Sequence, residues 1–341
     1  MLDVRKMELL RELARLGTIA AVAQAQFCTP SAVSQQLSAL EREAGVKLLR
    51  RSGRGVELTA AGADLADRTG AMLALLEEAE AALAAHRTEL TGELRIGAFP
   101  TAVRTLLPGA LVRLGAEYPR LELRVTELDP AEVPDALRTG ALDIALVHEY
   151  DYVPAEPDPA IMTQPLLAET IFLAYSAADG RGGERYATDA VSAIETVSAI
   201  ENGTDPVLAS STLPWIAATP GTLCHLMAVR LCQAAGFTPR IRHYADDFAA
   251  VLTLVAAGQG VALVPELALA DLPDGVTLAA LPALRRTLIA CRRGAAAHPA
   301  VVAAAAAIRA AAADYLDVTA PHRSASPASE RRRAQPPSNR L

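Results

Sequence analysis

The sequence predicts a chain of mixed class (α + α/β), with a mainly helical N-terminal part followed by an α/β part. The first observation is that apolar residues recur at helical spacing through residues 4–90. The second is that strand and helix patterns alternate after Gly92, which indicates a parallel sheet. The third is the length of 341 residues, which fits about two domains.

Three short helices are predicted first, each bounded by residues that start or stop a helix: 4–16, 18–25 and 31–44. Gly17 ends the first pattern, and Thr18 can cap the second helix. Thr29 before Pro30 places a capping hydroxyl ahead of a proline at the first helical position, which is a strong start signal. Gly45 ends the third helix.

A tight hairpin and a long helix follow. Arg51–Val56 is predicted to join two strands, and Thr59 can cap a helix that reaches about His86. Within this helix the spacing between core positions alternates between four and three: Leu65, Thr69, Met72, Leu76, Ala79 and Leu83. A heptad of this kind predicts a dimer through the coiled-coil positions, chiefly the leucines and Met72.

The elements of the second part predict two α/β subdomains. The expected strands are 93–97, 122–128, 143–147, 171–175, 215–218, 240–244, 261–264 and 287–291. The expected helices are 108–118, 133–139, 222–235, 247–257 and 300–315. The predicted domains are 1–59, a long linking helix 60–90, and 91–318, with one subdomain at about 91–165 and 266–318 and the other at about 166–265. Residues 319–341 are rich in Pro, Ser and Arg and are expected to form a disordered tail.

Three helices followed by a glycine turn form the pattern of a winged helix-turn-helix, whose third helix enters the major groove of DNA. Its predicted polar face carries side chains that can hydrogen-bond bases or phosphates: Thr29, Ser31, Ser34, Gln35 and Ser38. Basic residues that can meet phosphates stand in and beside the wing: Arg50, Arg51 and Arg54. A solvated amphipathic helix with a basic turn explains the same residues, so this pattern alone leaves both interpretations open.

Residues 4–62 resemble the N-terminal domain of LysR-type transcriptional regulators. The matching words are Leu10–Ala14, Gly17-Thr18, Thr29–Leu37, Leu40–Gly45, Leu48–Arg51 and Leu58–Gly62. Gly140–Leu146 and Val255–Pro265 resemble the effector domain of the same family. The resemblance implies a transcriptional regulator that binds a pseudo-palindromic DNA operator as a dimer, and tetramers are common in the family. It also implies DNA contacts by Thr29, Pro30, Ser31, Ser34, Gln35 and Gln36, and phosphate contacts by Arg51 and Arg54.

The family's effector domain is similar to periplasmic binding proteins, which hold a small molecule between two α/β subdomains. Ligands of open α/β sheets bind at the carboxyl ends of the strands, and helix N-termini favour anions. A small effector, expected to bear a carboxylate, is therefore predicted at Phe99, Pro100, Thr101, His148, Thr219, Gly221 and Thr222. The alternative is that the three threonines only cap helices.

Two features concern packing and cysteine chemistry. Position 26 is usually apolar in the family but is Gln26 here, and its apolar neighbours Phe27 and Cys28 are expected to fill the gap. Some family members sense oxidants near Cys224 and Cys232, but eight residues of helix separate these cysteines by about 12 Å. That exceeds disulfide reach, so small buried side chains are the favoured interpretation.

The net charge of −7 argues against a nucleic-acid partner only if it is averaged over the chain. Residues 1–70 hold ten basic and eight acidic side chains, which leaves +2 there and −9 in the rest. Charge by domain therefore agrees with DNA binding at the N-terminal part.

Other functions are disfavoured by missing motifs. No phosphate loop, nucleophile elbow or metal-ligand spacing occurs, so no catalytic residue, metal or cofactor is expected. The alternatives are an α/β enzyme that uses the N-terminal helices only to dimerise, and a solute-binding protein. The N-terminus does not resemble a signal peptide, which predicts a cytoplasmic protein without a membrane partner.

Overall fold

The computed structural model describes residues 1–53, 55–87, 89–153, 158–176, 198–200 and 202–324, with side chains to residue 318. Two compact units are present: Met1–His86 with Arg293–His298, and Arg87–Arg292 with the chain from Pro299 onward. The helices are α1 Val4–Leu16, α2 Ile19–Ala25, α3 Pro30–Ala44, α4 Ala60–Ala85, α5 Pro100–Thr105, α6 Leu107–Glu117, α7 Val133–Arg138, α8 Pro206–Ala209, α9 Leu223–Ala234, α10 Phe248–Ala256 and α11 Pro299–Ser324. The strands are β1 Leu49–Ser52, β2 Gly55–Leu58, β3 Gly92–Ala98, β4 Leu121–Glu127, β5 Ile144–Tyr150, β6 Ile161–Ser176, β7 Pro214–Ala217, β8 Arg240–Tyr244, β9 Ala262–Pro265 and β10 Val276–Arg292.

Caps set the helix boundaries of the first unit. The Thr18 side chain accepts a hydrogen bond from the backbone N–H of Ala21, and the Thr59 side chain accepts one from that of Gly62. Gly17 and Gly45 end α1 and α3 in the left-handed conformation. The predicted helix starts and stops are therefore confirmed here, and β1 and β2 form the expected antiparallel hairpin.

The core of the first unit lies between α1, α2 and α3, where fully buried leucines and valines meet: Leu10, Leu13, Val22, Val33, Leu37 and Leu40. The first turn of α4 lies directly against the hairpin. A Cβ atom on Gly62 would stand 2.1 Å from the carbonyl oxygen of Leu48. Only glycine permits this approach, so Gly62 sets where the long helix starts relative to the hairpin.

The main sheet of the second unit has the strand order β4-β3-β5-β10-β6-β9. Strand β3 is parallel to β4 and β5, as the alternating pattern predicts. Strand β10 is antiparallel to both β5 and β6, and β6 is antiparallel to β9. The prediction of a parallel sheet is therefore wrong for these pairs, because they form between distant segments whose pairing the alternating pattern does not encode. Strands β7 and β8 form a parallel pair that continues from β9 through a bridge between Trp215 and Val261.

Two strands are much longer than predicted. Strand β6 spans 161–176 rather than 171–175, and β10 spans 276–292 rather than 287–291. Their paired halves lie beside β5 at one end and beside β9 at the other, so they join the two α/β subdomains. Register shifts, with Pro165 and Pro282 in the strand sequences, interrupt the alternation that sequence patterns detect.

Other differences concern short or terminal elements. A helix start is expected near Thr101 but no range for the helix, because the six residues of α5 are too few to show a helical period. Helix α11 runs to Ser324, past the predicted end at residue 315 and the predicted tail start at 319, because its alanine-rich sequence has high helix propensity. The remainder of that predicted tail, 325–341, lies outside the described residues. In the described part of the chain, no helix combines the length and apolarity needed to cross a bilayer.

Candidate functional site

Helix α3 buries one face and leaves the opposite face open. Val33, Leu37 and Leu40 pack into the core of the first unit. The residues predicted to contact DNA lie elsewhere on the helix: Ser31, Gln35, Gln36 and Ser38 are exposed, and Ser34 is half-buried. The apolar stripe thus fixes the helix, and the polar face is free to meet a partner.

Thr29 and Pro30 build the start of α3. The Thr29 hydroxyl oxygen accepts a hydrogen bond from the backbone N–H of Ala32 at 3.2 Å, and it lies 3.0 Å from the Ser31 hydroxyl. Pro30 occupies the first turn. Thr29 is therefore a helix cap that also holds Ser31 in place.

The described basic residues of the wing, Arg50 and Arg51, lie within strand β1. Arg50 lies opposite Glu57 in the hairpin register, and its Nη2 donates to the Glu57 carboxylate at 2.9 Å. Arg51 is exposed and forms no ion pair with any described residue. Arg54 lies outside the described residues. Arg51 is therefore the basic side chain of the described wing whose charge is least offset.

Glu41 ties α3 to the wing. Its Oε1 accepts hydrogen bonds from the backbone N–H groups of Leu48 and Leu49, and its Oε2 accepts one from Lys47. Partial burial raises the pKa of the Glu41 carboxyl, but these donors lower it further, so that the pKa lies below its ordinary value. The carboxylate therefore fixes the orientation of the wing relative to α3.

The turn between α2 and α3 differs from the expectation. Gln26, Phe27 and Cys28 are all exposed, and Phe27 is 99% exposed. The prediction that Phe27 and Cys28 fill the space left by Gln26 is therefore wrong. Val22 and Ala23 already close this part of the core without them.

The predicted heptad of α4 divides into two halves. Leu65 and Met72 are partly buried against the core of the same unit, and Thr69 is fully buried. Leu76 and Leu83 are 53% and 70% exposed. The seam thus packs on its own chain at its start and presents apolar side chains at its end.

A buried polar cluster lies on one face of the main sheet, at the carboxyl ends of β3 and β5. The strand registers pair His148 with Thr287, Tyr150 with Arg285, and Arg285 with Glu169. Side chains two apart on a strand share a face, so these residues line the same side of the sheet. Thr101 and Phe99, which follow β3, meet them there.

Arg285 is the centre of this cluster. Its Nε donates to Glu169 Oε1 at 2.7 Å, and its Nη2 donates to Thr101 Oγ1 at 3.0 Å. Its guanidinium carbon lies 4.9 Å from the centre of the Phe99 ring. Arg285 and Glu169 side chains are each 1% exposed, so this ion pair is withdrawn from water. Thr101 binds Arg285 and does not cap α5, which has no side-chain cap.

His148 stands beside this ion pair with an unused ring nitrogen. Its ring lies 4.8 Å from that of Phe99 and 5.0 Å from that of Tyr150, measured between centres. Within the described part of the chain, neither His148 Nδ1 nor the buried hydroxyl of Thr287 has a hydrogen-bond partner. Burial, and then Arg285, lower the pKa of His148 well below 6.5, so the ring is neutral.

Tyr150 connects the cluster to the second subdomain. Its hydroxyl lies 3.2 Å from the sulfur of Cys224, which is near the start of α9. Burial raises the pKa of the Cys224 thiol and raises that of the Cys232 thiol to about 12. Both cysteines lie on one unbroken helix, as predicted.

The other predicted effector residues are engaged in local hydrogen bonds. The Thr219 hydroxyl and backbone N–H each donate to the Asp246 carboxylate at 2.7 Å. Thr222 caps α9 by accepting from the backbone N–H of His225, and Gly221 before it has a φ of 102°. Pro100 begins α5. The capping alternative therefore describes Thr222, while Thr219 holds a carboxylate of the protein itself.

Sequence reasoning missed the charged residues that organise the cluster. Arg285 and Glu169 lie in β10 and β6, outside the shorter ranges that were predicted for these two strands. A charge within an apolar strand run is a usable signal, because a buried charge must have a partner. Arg104 of α5 was also missed; it pairs with Asp247 at 3.4 Å and with Asp271 at 3.0 Å, in the segments that follow β8 and β9.

Comparisons with known proteins agree with this arrangement. Residues 4–63 match the model "Bacterial regulatory helix-turn-helix protein, lysR family", and residues 87–189 and 204–313 match the model "LysR substrate binding domain". The chain belongs to the LysR family of bacterial transcriptional regulators. A relative from Mycobacterium avium, named "Probable hydrogen peroxide-inducible genes activator", is 30% identical over 237 residues, which are 69% of each chain. The ArgP structure from Mycobacterium tuberculosis has a TM-score of 0.54 at 22% identity over 92% of this chain and 98% of that chain. The structure of a Corynebacterium glutamicum OxyR C206 mutant has a TM-score of 0.53 at 24% identity over 94% and 95%.

Membership of the LysR family confirms the predicted class and its partners. The chain is a DNA-binding transcriptional regulator with an effector-binding domain, and the enzyme alternative is set aside because the family and the named relatives are regulators. The solute-binding alternative is also set aside, because the helix-turn-helix match covers the whole first part. DNA, a small effector and further copies of the chain are the partners of this LysR regulator.

Proposed function

We propose that this LysR regulator reads its operator with the exposed polar face of α3. The observation that carries this proposal is the division of α3 into a buried apolar stripe and an open polar face. Ser31, Ser34, Gln35 and Gln36 would meet base edges, of which a glutamine can bond an adenine in bidentate fashion. Arg51 would meet phosphates, and Arg50 would do so more weakly. Arg54 is proposed for the same role, although it lies outside the described residues.

Two single substitutions test this assignment on the full-length chain. Gln35→Ala is expected to change base preference. Arg51→Ala is expected to weaken binding to every sequence and to reduce the slope of log affinity against log salt concentration by about one. Arg68→Ala, which removes an exposed arginine of α4 paired with Asp64, is the charge-matched control. Fluorescence anisotropy titrations over a salt series measure both effects. Parent-like binding by both test variants would refute the assignment.

We further propose that the effector binds at the buried cluster around Thr101, His148 and Thr287. This cluster holds two buried polar atoms without a partner among the described residues, at the strand ends where α/β sheets bind ligands. The charge of Arg285 is offset by Glu169, and His148 is neutral. An added carboxylate would be buried without a counter-charge, so an uncharged hydrogen-bonding group fits better than the carboxylate expected from the sequence.

Matched probes test the charge of the effector group. Benzamide and benzoate have the same ring and differ in charge. Benzamide is expected to raise the melting temperature of the parent protein more than benzoate does. Thr287→Val should remove the response to benzamide while leaving the free protein at least as stable, because a buried unpaired hydroxyl is replaced by a methyl. Equal responses of parent and variant would contradict the assignment of Thr287.

The peroxide response named for the Mycobacterium avium relative is not proposed here. A peroxide-reactive cysteine needs thiolate character and access. Cys224 has a raised pKa and lies against the Tyr150 hydroxyl, and the buried Cys232 has a pKa of about 12. Small-molecule binding, rather than thiol oxidation, is therefore the proposed input.

We propose that the exposed end of α4 pairs two subunits. Leu76 and Leu83 are the predicted seam residues left open, and Leu75 beside them is 64% exposed. Leu76→Asp is expected to shift the chain toward monomer in size-exclusion chromatography with light scattering.

A regulator that reads chromosomal DNA acts in the cytoplasm, which is the location proposed for this chain.

A further inference from the structure

Phe27 is exposed and conformationally strained at the same time. Its side chain is 99% exposed, the largest value among the aromatic residues that the structure describes. Its φ of 50° makes it the sole non-glycine residue with positive φ in the described part of the chain. A bulky side chain disfavours this left-handed conformation, which glycine or asparagine adopts easily.

The backbone of the turn holds this conformation without help from the phenyl ring. The Phe27 N–H donates to the Gln24 carbonyl at 3.3 Å, and the Cys28 N–H donates to the Ala23 carbonyl at 2.9 Å. Thr29 then caps α3. The ring therefore contributes nothing to the core, and the chain carries an exposed aromatic where a small polar residue would suit the backbone better. Strain retained in this way is typical of functional positions.

The turn is continuous with the DNA-binding surface of this LysR regulator. Phe27 stands two residues before the cap of α3, next to the N-terminal side chains that helix-turn-helix proteins use to reach base edges. The major groove offers one apolar feature of sequence, the methyl group of thymine, and Phe is among the side chains that contact it. The phosphates outside the groove provide no comparable contact for an apolar ring.

We propose that Phe27 contacts a thymine methyl group at the edge of each operator half-site and thereby determines specificity. This inference rests on the proposed reading of DNA by α3. The ring is an apolar reader beside the polar readers Ser31 and Gln35. It adds no charge, so it changes which sequences bind without changing how strongly the chain holds phosphates.

The test starts from double-stranded DNA selected from a random library by the full-length parent. Phe27→Asn suits the left-handed backbone, and Val46→Asn, at an exposed apolar site beyond the other end of α3, is the matched control. Phe27→Asn is expected to lose about fourfold in affinity per half-site, the effect of one methyl group leaving an apolar contact. Its salt slope and its affinity for scrambled DNA should equal those of the parent. Its melting temperature should not fall.

Replacing each thymine of the selected site by uracil, one at a time, identifies the contact. The parent should lose affinity at one position in each half-site, and Phe27→Asn should be insensitive at that position. Phe27→Asn binding like the parent overturns the proposal, and so does a uracil profile identical in both proteins. A change of oligomeric state in the variant also overturns it, in favour of a subunit contact. Failure of the parent to enrich any sequence would instead refute the reading of DNA by α3.

Discussion

The buried pair Arg285–Glu169 is expected to be the most sensitive interaction of the effector-binding unit. Its atoms are 2.7 Å apart and both side chains are 1% exposed. Glu169→Gln removes the counter-charge of Arg285, and Arg285→Met leaves the carboxylate of Glu169 alone. Removing one partner of such a pair costs about 3–5 kcal/mol, because the other charge stays buried without compensation.

This cost converts into a large thermal effect. In a domain of 150–250 residues each kcal/mol shifts the melting temperature by about 2–4 °C, so each single variant should melt about 6–20 °C below the parent. The double variant Arg285→Met/Glu169→Met should recover much of that loss. It is expected to retain a deficit of about 1–3 kcal/mol, because the backbone N–H of Leu267 loses the Glu169 oxygen it donates to at 2.7 Å.

Differential scanning calorimetry of the full chain measures these shifts. The control is Glu122→Gln, which breaks an exposed 2.9 Å pair with Arg124 in the same unit. Water screens that pair, so the control should melt like the parent. If the single variants also melt like the control, or if their losses simply add in the double variant, then the pair is not desolvated and the reasoning is wrong.

Three further outcomes are expected. Burial lowers the pKa of His148, so below about pH 6.5 the unfolded chain takes up a proton at this residue while the folded chain does not. The stability of the folded chain should therefore fall as the pH decreases through this range. His148→Gln should flatten the dependence of melting temperature on pH. Iodoacetamide should label exposed Cys28 before Cys224, whose pKa is raised, as followed by mass spectrometry. Gly62→Ala should reduce the free energy of unfolding by about 1–3 kcal/mol, because its Cβ would meet the Leu48 carbonyl. A lower melting temperature would show this loss.

The first unit could be predicted in detail because its signals are local. Each cap stands next to the helix it starts, and each glycine stands at the end it terminates. The polar face of α3 follows from the spacing of Val33, Leu37 and Leu40. The error at Phe27 has the same origin: apolar composition predicts burial, but a turn whose backbone bonds are already complete leaves its side chains outside.

The buried polar cluster around Arg285 could be predicted only in part, because it is made by contacts between distant segments. Thr101 and His148 follow from the rule that ligands bind at strand ends. Arg285 and Glu169 are separated by 116 residues and meet only through the register of β6 and β10. No local pattern encodes that register. The expected cap at Thr101 is replaced by a bond from Arg285 for the same reason.

The small net positive charge of the first unit predicts that tight operator binding requires two subunits. Residues 1–70 carry a net charge of only +2, and Arg50 of the wing is partly offset by Glu57. Each phosphate neutralised contributes to affinity through the release of counterions, so a single head with few free arginines binds weakly. Joining two DNA-binding units in a dimer makes the binding of the second unit to the operator intramolecular. This can raise the overall affinity by about 10²–10⁴ without any additional protein–DNA interaction. The exposed leucines at the end of α4 would then set operator affinity although they touch no DNA. Leu76→Asp should therefore weaken operator binding at low protein concentration and leave the base preference proposed for Gln35 unchanged.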